Sequence, residues 1–185
     1  MNVKDAIEAR RAYRALAPVE ISDETVRDLA EAARLSASCF NNQPWRFVFV
    51  RKPDVLDQMF GTLSDGNAWA RASSMIVAVL SRVDLDCQIR EREYFLFDSG
   101  MATALMILRA TELGLVAHPI AGYSPKKVRG VLGVPDDMHV VSLIIFGKHT
   151  DEINDLLSED QAAGEPTRPG RHPFEEFAWM DEYGG

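Results

Sequence analysis

No run of apolar residues in this chain is long and uncharged enough to span a bilayer. Positive charge is in deficit: the 185 residues carry a formal net charge of -8, which argues against a general binder of nucleic acid or of anionic membrane surfaces. Cysteine is scarce. Cys39 and Cys87 have neither metal nor redox spacing, so they read as buried or spectator thiols in a reducing cytoplasm. Lys4, Asp5 and Glu8 stand where a secretory leader would be apolar. His118, His139, His149 and His172 are scattered without ligand spacing, so no metal site is expected. There is no Gly-x-Gly-x-x-Gly after a strand, no Walker lysine loop and no Gly-x-Ser-x-Gly elbow. Carboxylates are plentiful, yet no pair is placed for a hydrolase dyad, and no side chain stands out as a catalytic acid or base. Internal repeats and low-complexity tracts are absent as well.

What is present is arginine in an unusual concentration. Arg10-Arg11-Ala12-Tyr13-Arg14 places three guanidiniums in five residues. Residues 2–9 read as a helix, with Val3 and Ile7 four apart and the arginines continuing along or beside that face. No acidic run at helical spacing neutralises all three. A bound anion, most simply a phosphate gripped by guanidinium forks, is one partner that would. The alternative is a solvated helix end, where arginine also suits the macrodipole.

Further on, Ser22 caps a helix carrying Val26, Leu29, Ala30 and Ala33, up to about Leu35. Residues 36–45 form a polar loop of amides and hydroxyls closed by Pro44-Trp45. A strand over 46–51 precedes a short helix opened near Pro53, which the Ser64-Asp65-Gly66-Asn67 stretch breaks. Residues 75–80 are continuously apolar, as in a strand buried on both faces. The spacing predicts one long helix from about 88 to 113, its second half apolar all round and therefore buried, with Gly114 as C-cap. A strand over 116–120, a helix opened by Ser124-Pro125 and a strand over 140–146 complete the ordered pattern. Beyond Thr150 an acidic stretch leads to Arg168, Arg171 and the aromatics Phe174, Phe177, Trp179 and Tyr183. So many aromatics should be buried, either across a neighbouring subunit or back on their own domain.

Four features in this order resemble the FMN-dependent nitroreductase family: the arginine segment, the Asn41-Asn42-Gln43-Pro44-Trp45 element, the apolar helix from Tyr94 to Gly114 and the Pro119-Ile120-Ala121-Gly122 turn. The match runs from about Val3 to Phe177, and the amide loop is its most specific part. The resemblance implies an α+β, nitroreductase-like fold: a central, mostly antiparallel sheet flanked by helices, in an intertwined homodimer with two FMN sites at the interface. It implies a single domain over 1–185, with 150–185 as an arm on the partner subunit. Arg10, Arg11, Ala12 and Arg14 would meet the FMN phosphate and the polar edge of the flavin. Ala37, Ser38, Cys39, Asn41 and Gln43 would reach the cofactor largely from the partner, and Asn67 would contact the ring or ribityl chain. Pro119, Ile120 and Ala121 would lie at the ring edge, with the Gly122 N–H aimed at flavin N5. Arg168 and Arg171 would return to the phosphate. The implied activity is hydride transfer from NAD(P)H through FMN to a nitroaromatic, quinone or similar small oxidant. Another redox reaction on the same fold, or a non-catalytic FMN-binding module, is the alternative. Ala12, Ala37 and Ala121 depart from residues common in the family, a hydroxyl residue, a proline and a glutamate respectively. No nucleic-acid or membrane partner is implied.

Overall fold

In the computed structural model, residues 1–185 are described. From the N-terminus the chain forms α1 (Val3–Ala9), β1 (Leu16–Ala17), α2 (Asp23–Arg34), β2 (Arg46–Val50), α3 (Pro53–Phe60) and β3 (Met75–Ser81). It continues through β4 (Gln88–Ile89), β5 (Arg92–Glu93), α4 (Phe95–Glu112), β6 (Val116–Ile120), α5 (Pro125–Leu132), β7 (His139–His149) and α6 (Glu159–Gly164). Helix starts follow local chemistry. The Ser22 side chain accepts from Thr25 N at α2, and Ser124 from Lys127 N with Pro125 in the first turn of α5.

Five strands make one antiparallel sheet with β7 at its centre. One edge of β7 pairs with β3, which pairs with β2. β7 also pairs with β6 and, through Lys148 and His149, with β1. The apolar run of β3 is buried along its whole length because helices cover both faces. Ile76, Ala78 and Leu80 join Leu143 and Ile145 of β7 on the face carrying Met59, Trp69 and Val128. Met75, Val77 and Val79 join Ile144 and Phe146 on the opposite face, against Leu29 and Ala33 of α2 and Ala102 and Met106 of α4. The period-2 alternation therefore sorts one strand into two cores.

Four expectations need correction. First, α1 ends at Ala9, and Arg10 (φ -57°, ψ 120°) turns the chain into an extended segment, so the arginines do not continue a helical face. The chain must extend there because Leu16 and Ala17 are already in the sheet. Second, the helix predicted from 88 begins only at Phe95, and β4 and β5 form a hairpin before it. Ile89 is the sole apolar residue between Gln88 and Glu93, which leaves no stripe for a helix to bury, and Arg90 takes a left-handed turn conformation (φ 59°). Third, Cys39 and Cys87 are not spectator thiols: they form a disulfide across a separation of 48 residues. Linear spacing carried no trace of a pair that only the approach of the hairpin to the 36–45 loop creates. Fourth, α4 is buried on one side only. Ala102, Met106 and Ala110 face the core, while Leu96, Phe97, Gly100 and Leu105 are exposed in the single chain.

The arm after β7 divides. Its first part lies on its own chain, with α6 tied to the 65–72 turn by Gln161 Nε2 donating to Gly66 O at 2.8 Å. Phe174, Phe177 and Tyr183 remain exposed. Truncating the fully buried Ile145 to Ala should cost about 2–5 kcal/mol. Removing the α2 cap with Ser22→Ala should cost about 1 kcal/mol. Urea midpoints at unchanged slope measure both.

Candidate cofactor site

The two arginine clusters meet within one chain. Arg10, Arg11, Ala12, Arg14, Arg168 and Arg171 line a single cavity of about 150 Å³ together with Glu165. The junction is built from both ends. Ser158 and Gln161 form a capping box that opens α6, and the helix delivers Glu165 to the interior, where it is 5% exposed. Glu165 Oε1 accepts from Arg14 N at 2.8 Å and Ala15 N at 2.9 Å. Arg11 donates to Glu165 O at 2.8 Å and Pro166 O at 3.2 Å, and its guanidinium lies over the Tyr13 ring at 4.4 Å. Arg168 Nη2 donates to Arg10 O at 2.9 Å and also to Glu8 O.

These bonds position the arginines without neutralising them. None of the cavity's five arginines pairs with a carboxylate, whereas Arg34, Arg51, Arg82, Arg109 and Arg129 each do. The one acid in the cavity, Glu165, is engaged by main-chain N–H groups. Partial burial, and then repulsion from Arg168 and Arg171, lowers the Arg10 guanidinium pKa from its ordinary value. Like charges gathered in a partly buried cavity of an acidic chain leave donors free that match an anion with several oxygens. The donor set suits a phosphate monoester such as the end of FMN.

A second group lies in the 36–45 loop, outside that cavity. Ser38 Oγ accepts from Gln43 N at 3.0 Å, and Gln43 Nε2 donates to Asn41 O at 3.2 Å. Phe40, Asn41 and Gln43 all hold left-handed conformations, with φ of 46°, 58° and 51°. Cys39 N donates to Asp98 Oδ2 at 2.7 Å, anchoring the loop on α4. Ala37 and Asn41 are exposed.

The third group is the turn after β6. Pro119 and Ala121 are exposed and Ile120 is buried. The Gly122 carbonyl accepts three bonds: Ser64 N at 3.0 Å, Ser64 Oγ at 2.8 Å and Asn67 Nδ2 at 2.8 Å. Its N–H, by contrast, donates to nothing in the chain. A Cβ at this position would overlap Ser64 Oγ and Asn67 Nδ2, so glycine is what lets the turn approach both. An oriented, unused main-chain donor here fits a ring nitrogen or carbonyl.

Sequence reasoning missed Glu165, which lay unmarked in an acidic stretch; only its burial separates it from its neighbours. It also missed Asp98, an acid on an otherwise apolar helix and 1% exposed, which was a usable signal. His118 proves to be a packing residue beside the cavity. It is 7% exposed, stacks on Trp69 at 4.6 Å and bonds through Nδ1 to Tyr13 O at 3.0 Å. A larger cavity of about 450 Å³ flanks β2, but its walls are mostly apolar and its Arg51 is paired with Asp23, so it lacks the anion receptor's chemistry.

A family model described as "Nitroreductase family" matches residues 7–148. A protein of Archaeoglobus fulgidus, named as a candidate NADH dehydrogenase/NAD(P)H nitroreductase, is 30% identical over 163 residues, spanning 84% of this chain and 90% of the relative. Among solved structures, one described as an oxidoreductase containing FMN superposes with a TM-score of 0.84 at 27% identity, covering 100% of this chain and 94% of that one. A nitroreductase family protein of Clostridium difficile 630 superposes with a TM-score of 0.80 at 19% identity, over 99% and 100% of the two chains.

Burial first, then the positive charges of Arg14 and Arg10, lower the His118 pKa below its ordinary value, against the pull of the Tyr13 carbonyl and Glu165. The folded state therefore binds this proton less readily than the unfolded chain does. His118 costs no stability well above pH ~6.5, and stability is lost as pH falls below that value. Urea denaturation at pH 7 and pH 5 should show this loss, and His118→Gln should flatten the dependence.

Proposed function

The chain belongs to the nitroreductase family, and on that premise we propose that it is an FMN-dependent oxidoreductase. FMN, when bound, would supply the chemistry, taking hydride from NAD(P)H and passing it to a nitroaromatic, quinone or similar small oxidant. The observation that carries this reading is the convergence of five arginines without carboxylate partners on one cavity. The fold match to a structure described as an oxidoreductase containing FMN supports the same cofactor. The Archaeoglobus fulgidus relative's name supports NAD(P)H as donor.

The chain's own residues divide the work. Arg10, Arg11, Arg168 and Arg171 hold the phosphate, with Ala12 in the same wall. Arg14, in the same cavity, would be the fixed cation at the polar edge of the ring, and preorganised charge of this kind would favour the reduced form. Ser64 and Asn67 hold the Gly122 carbonyl and so anchor the turn, from which the free Gly122 N–H would donate to flavin N5. Pro119, Ile120 and Ala121 flank it. Ala37, Ser38, Cys39, Asn41 and Gln43 complete the site from the partner of a homodimer.

The homodimer accounts for the open face of α4. Leu96, Phe97 and Leu105 are 51%, 63% and 38% exposed, and Val3 and Ile7 of α1, which packs on α4, are exposed as well. Such a surface is covered by a second copy of the same helix, and the exposed end of the arm from Phe174 lies on that partner. We place the protein in the cytoplasm. No helix is long and apolar enough to cross a membrane.

The test is the visible spectrum of the purified protein before and after anaerobic NAD(P)H, followed by steady-state turnover with menadione or nitrofurazone. A bound flavin that bleaches and turns over is expected. Flavin binding without turnover would point to a storage module. In Arg14→Ala, FMN affinity should fall about 10- to 100-fold, the range for one lost charge-assisted hydrogen bond. The reduction potential should fall with it; an unchanged potential would remove Arg14 from this role.

A further inference from the structure

The 36–45 loop is held in a shape it would not choose alone. Three of its non-glycine residues sit in the left-handed region, at φ of 46°, 58° and 51°. Besides the bonds within the loop, three ties join it to its surroundings. Cys39 N donates to Asp98, Asn42 Nδ2 donates to Asp86 Oδ1 at 3.3 Å, and Cys39 is bonded through sulfur to Cys87. The covalent tie is also the one that chemistry can open. Both cystine residues are half-buried, and the neighbouring Phe40 is 88% exposed, so the bond lies near solvent. Beneath it sit two carboxyl groups, Asp86 at 9% and Asp98 at 1% exposed. Asp86 Oδ1 accepts from Cys87 N at 2.8 Å, while Asp86 Oδ2 is buried without a partner.

We propose that Cys39–Cys87 is a reversible thiol–disulfide modification site, opened by a dithiol reductant, whose state sets how firmly the 36–45 loop holds FMN. The coupling to FMN rests on the function proposed above; the modification site rests on the geometry and on the cytoplasmic setting proposed with it. In exchange, a thiolate of the dithiol attacks one sulfur of the pair. The S–S bond breaks, its electron pair passes to the other sulfur, and that sulfur takes a proton. The reductant's second thiol then gives up its proton and displaces the mixed disulfide. Net, two electrons and two protons move from the dithiol, which leaves as a disulfide, to Cys39 and Cys87.

The setting favours this role over a purely structural staple. In the cytoplasm proposed above, disulfides that form are as a rule transient and redox-active. The bond ties the cofactor loop to the β4–β5 hairpin and closes no core element. The buried Asp98 carboxyl holds the Cys39 main chain beside the bond. Burial first, and then the neighbouring Asp86, raise the Asp98 carboxyl pKa, against the Cys39 N–H bond that lowers it.

The experiment uses the full-length protein, air-oxidised or treated with dithiothreitol without denaturant. Alkylation with iodoacetamide and intact mass count the thiols, and quenching of flavin fluorescence gives the FMN dissociation constant. The oxidised protein should show no thiol, and the reduced, still folded protein two. FMN affinity should fall about tenfold on reduction, as when the binding-competent loop drops to roughly a tenth of the population, and recover on reoxidation. Cys87→Ser should bind FMN like the reduced protein under both conditions. The reduction series on the unaltered chain decides the matter even if that variant does not fold. Thiols released only in denaturant overturn the modification site, and equal FMN affinity in both states overturns the coupling. FMN bound by neither state overturns the flavin reading and the coupling with it, while the thiol count still decides the modification site.

Discussion

The short β1–β7 ladder is what brings the two ends of this chain to one place. Leu16 and Ala17 pair with His149 and Lys148, and Thr150 N donates to Ala15 O at 3.1 Å. The arginine segment therefore ends, and the C-terminal arm begins, at adjacent points on the sheet edge. From there α6 has only to turn back for Glu165 to reach the main chain of Arg14 and Ala15. Everything proposed for the phosphate depends on that closure. Without it, the two clusters would be charged tails at opposite ends of an acidic protein.

Glu165 shows how such a receptor can be both stable and unneutralised. A buried carboxylate must find donors, and two main-chain N–H groups satisfy it. Had it instead turned to the guanidiniums, it would have filled the role reserved for the ligand. The same logic recurs at the turn after β6, where side chains saturate the Gly122 carbonyl and leave its N–H free. In both places the protein spends neutral or main-chain groups on architecture and keeps the useful polarity unspent.

Much of this was legible beforehand, for reasons that can be named. The caps at Ser22 and Ser124, the doubly buried β3 and the strand over 116–120 are local signals, and the structure follows them. The arginines were conspicuous because they run against the charge of the whole chain. What escaped notice depends on distance in sequence. The Cys39–Cys87 bond spans 48 residues and exists only because the β4–β5 hairpin folds over the loop. That hairpin was itself misread as helix, since a polar stretch next to a long apolar helix offers no boundary. Glu165 was lost among like residues because burial is not a property of composition. The open face of α4 is a subtler case: an all-apolar helix does predict burial, but one chain supplies only half of it.

The free donor at Gly122 has a consequence for how this scaffold can diverge. A group that belongs to the main chain cannot be deleted by exchanging a side chain; short of proline, every residue type carries it. The constraint falls instead on Ser64 and Asn67, which hold the carbonyl of the same residue, and on the absence of a Cβ. Neighbouring positions such as Pro119 and Ala121 stay exposed and unburdened. The surroundings can thus be redrawn, and with them the range of molecules admitted, while the main-chain donor itself stays.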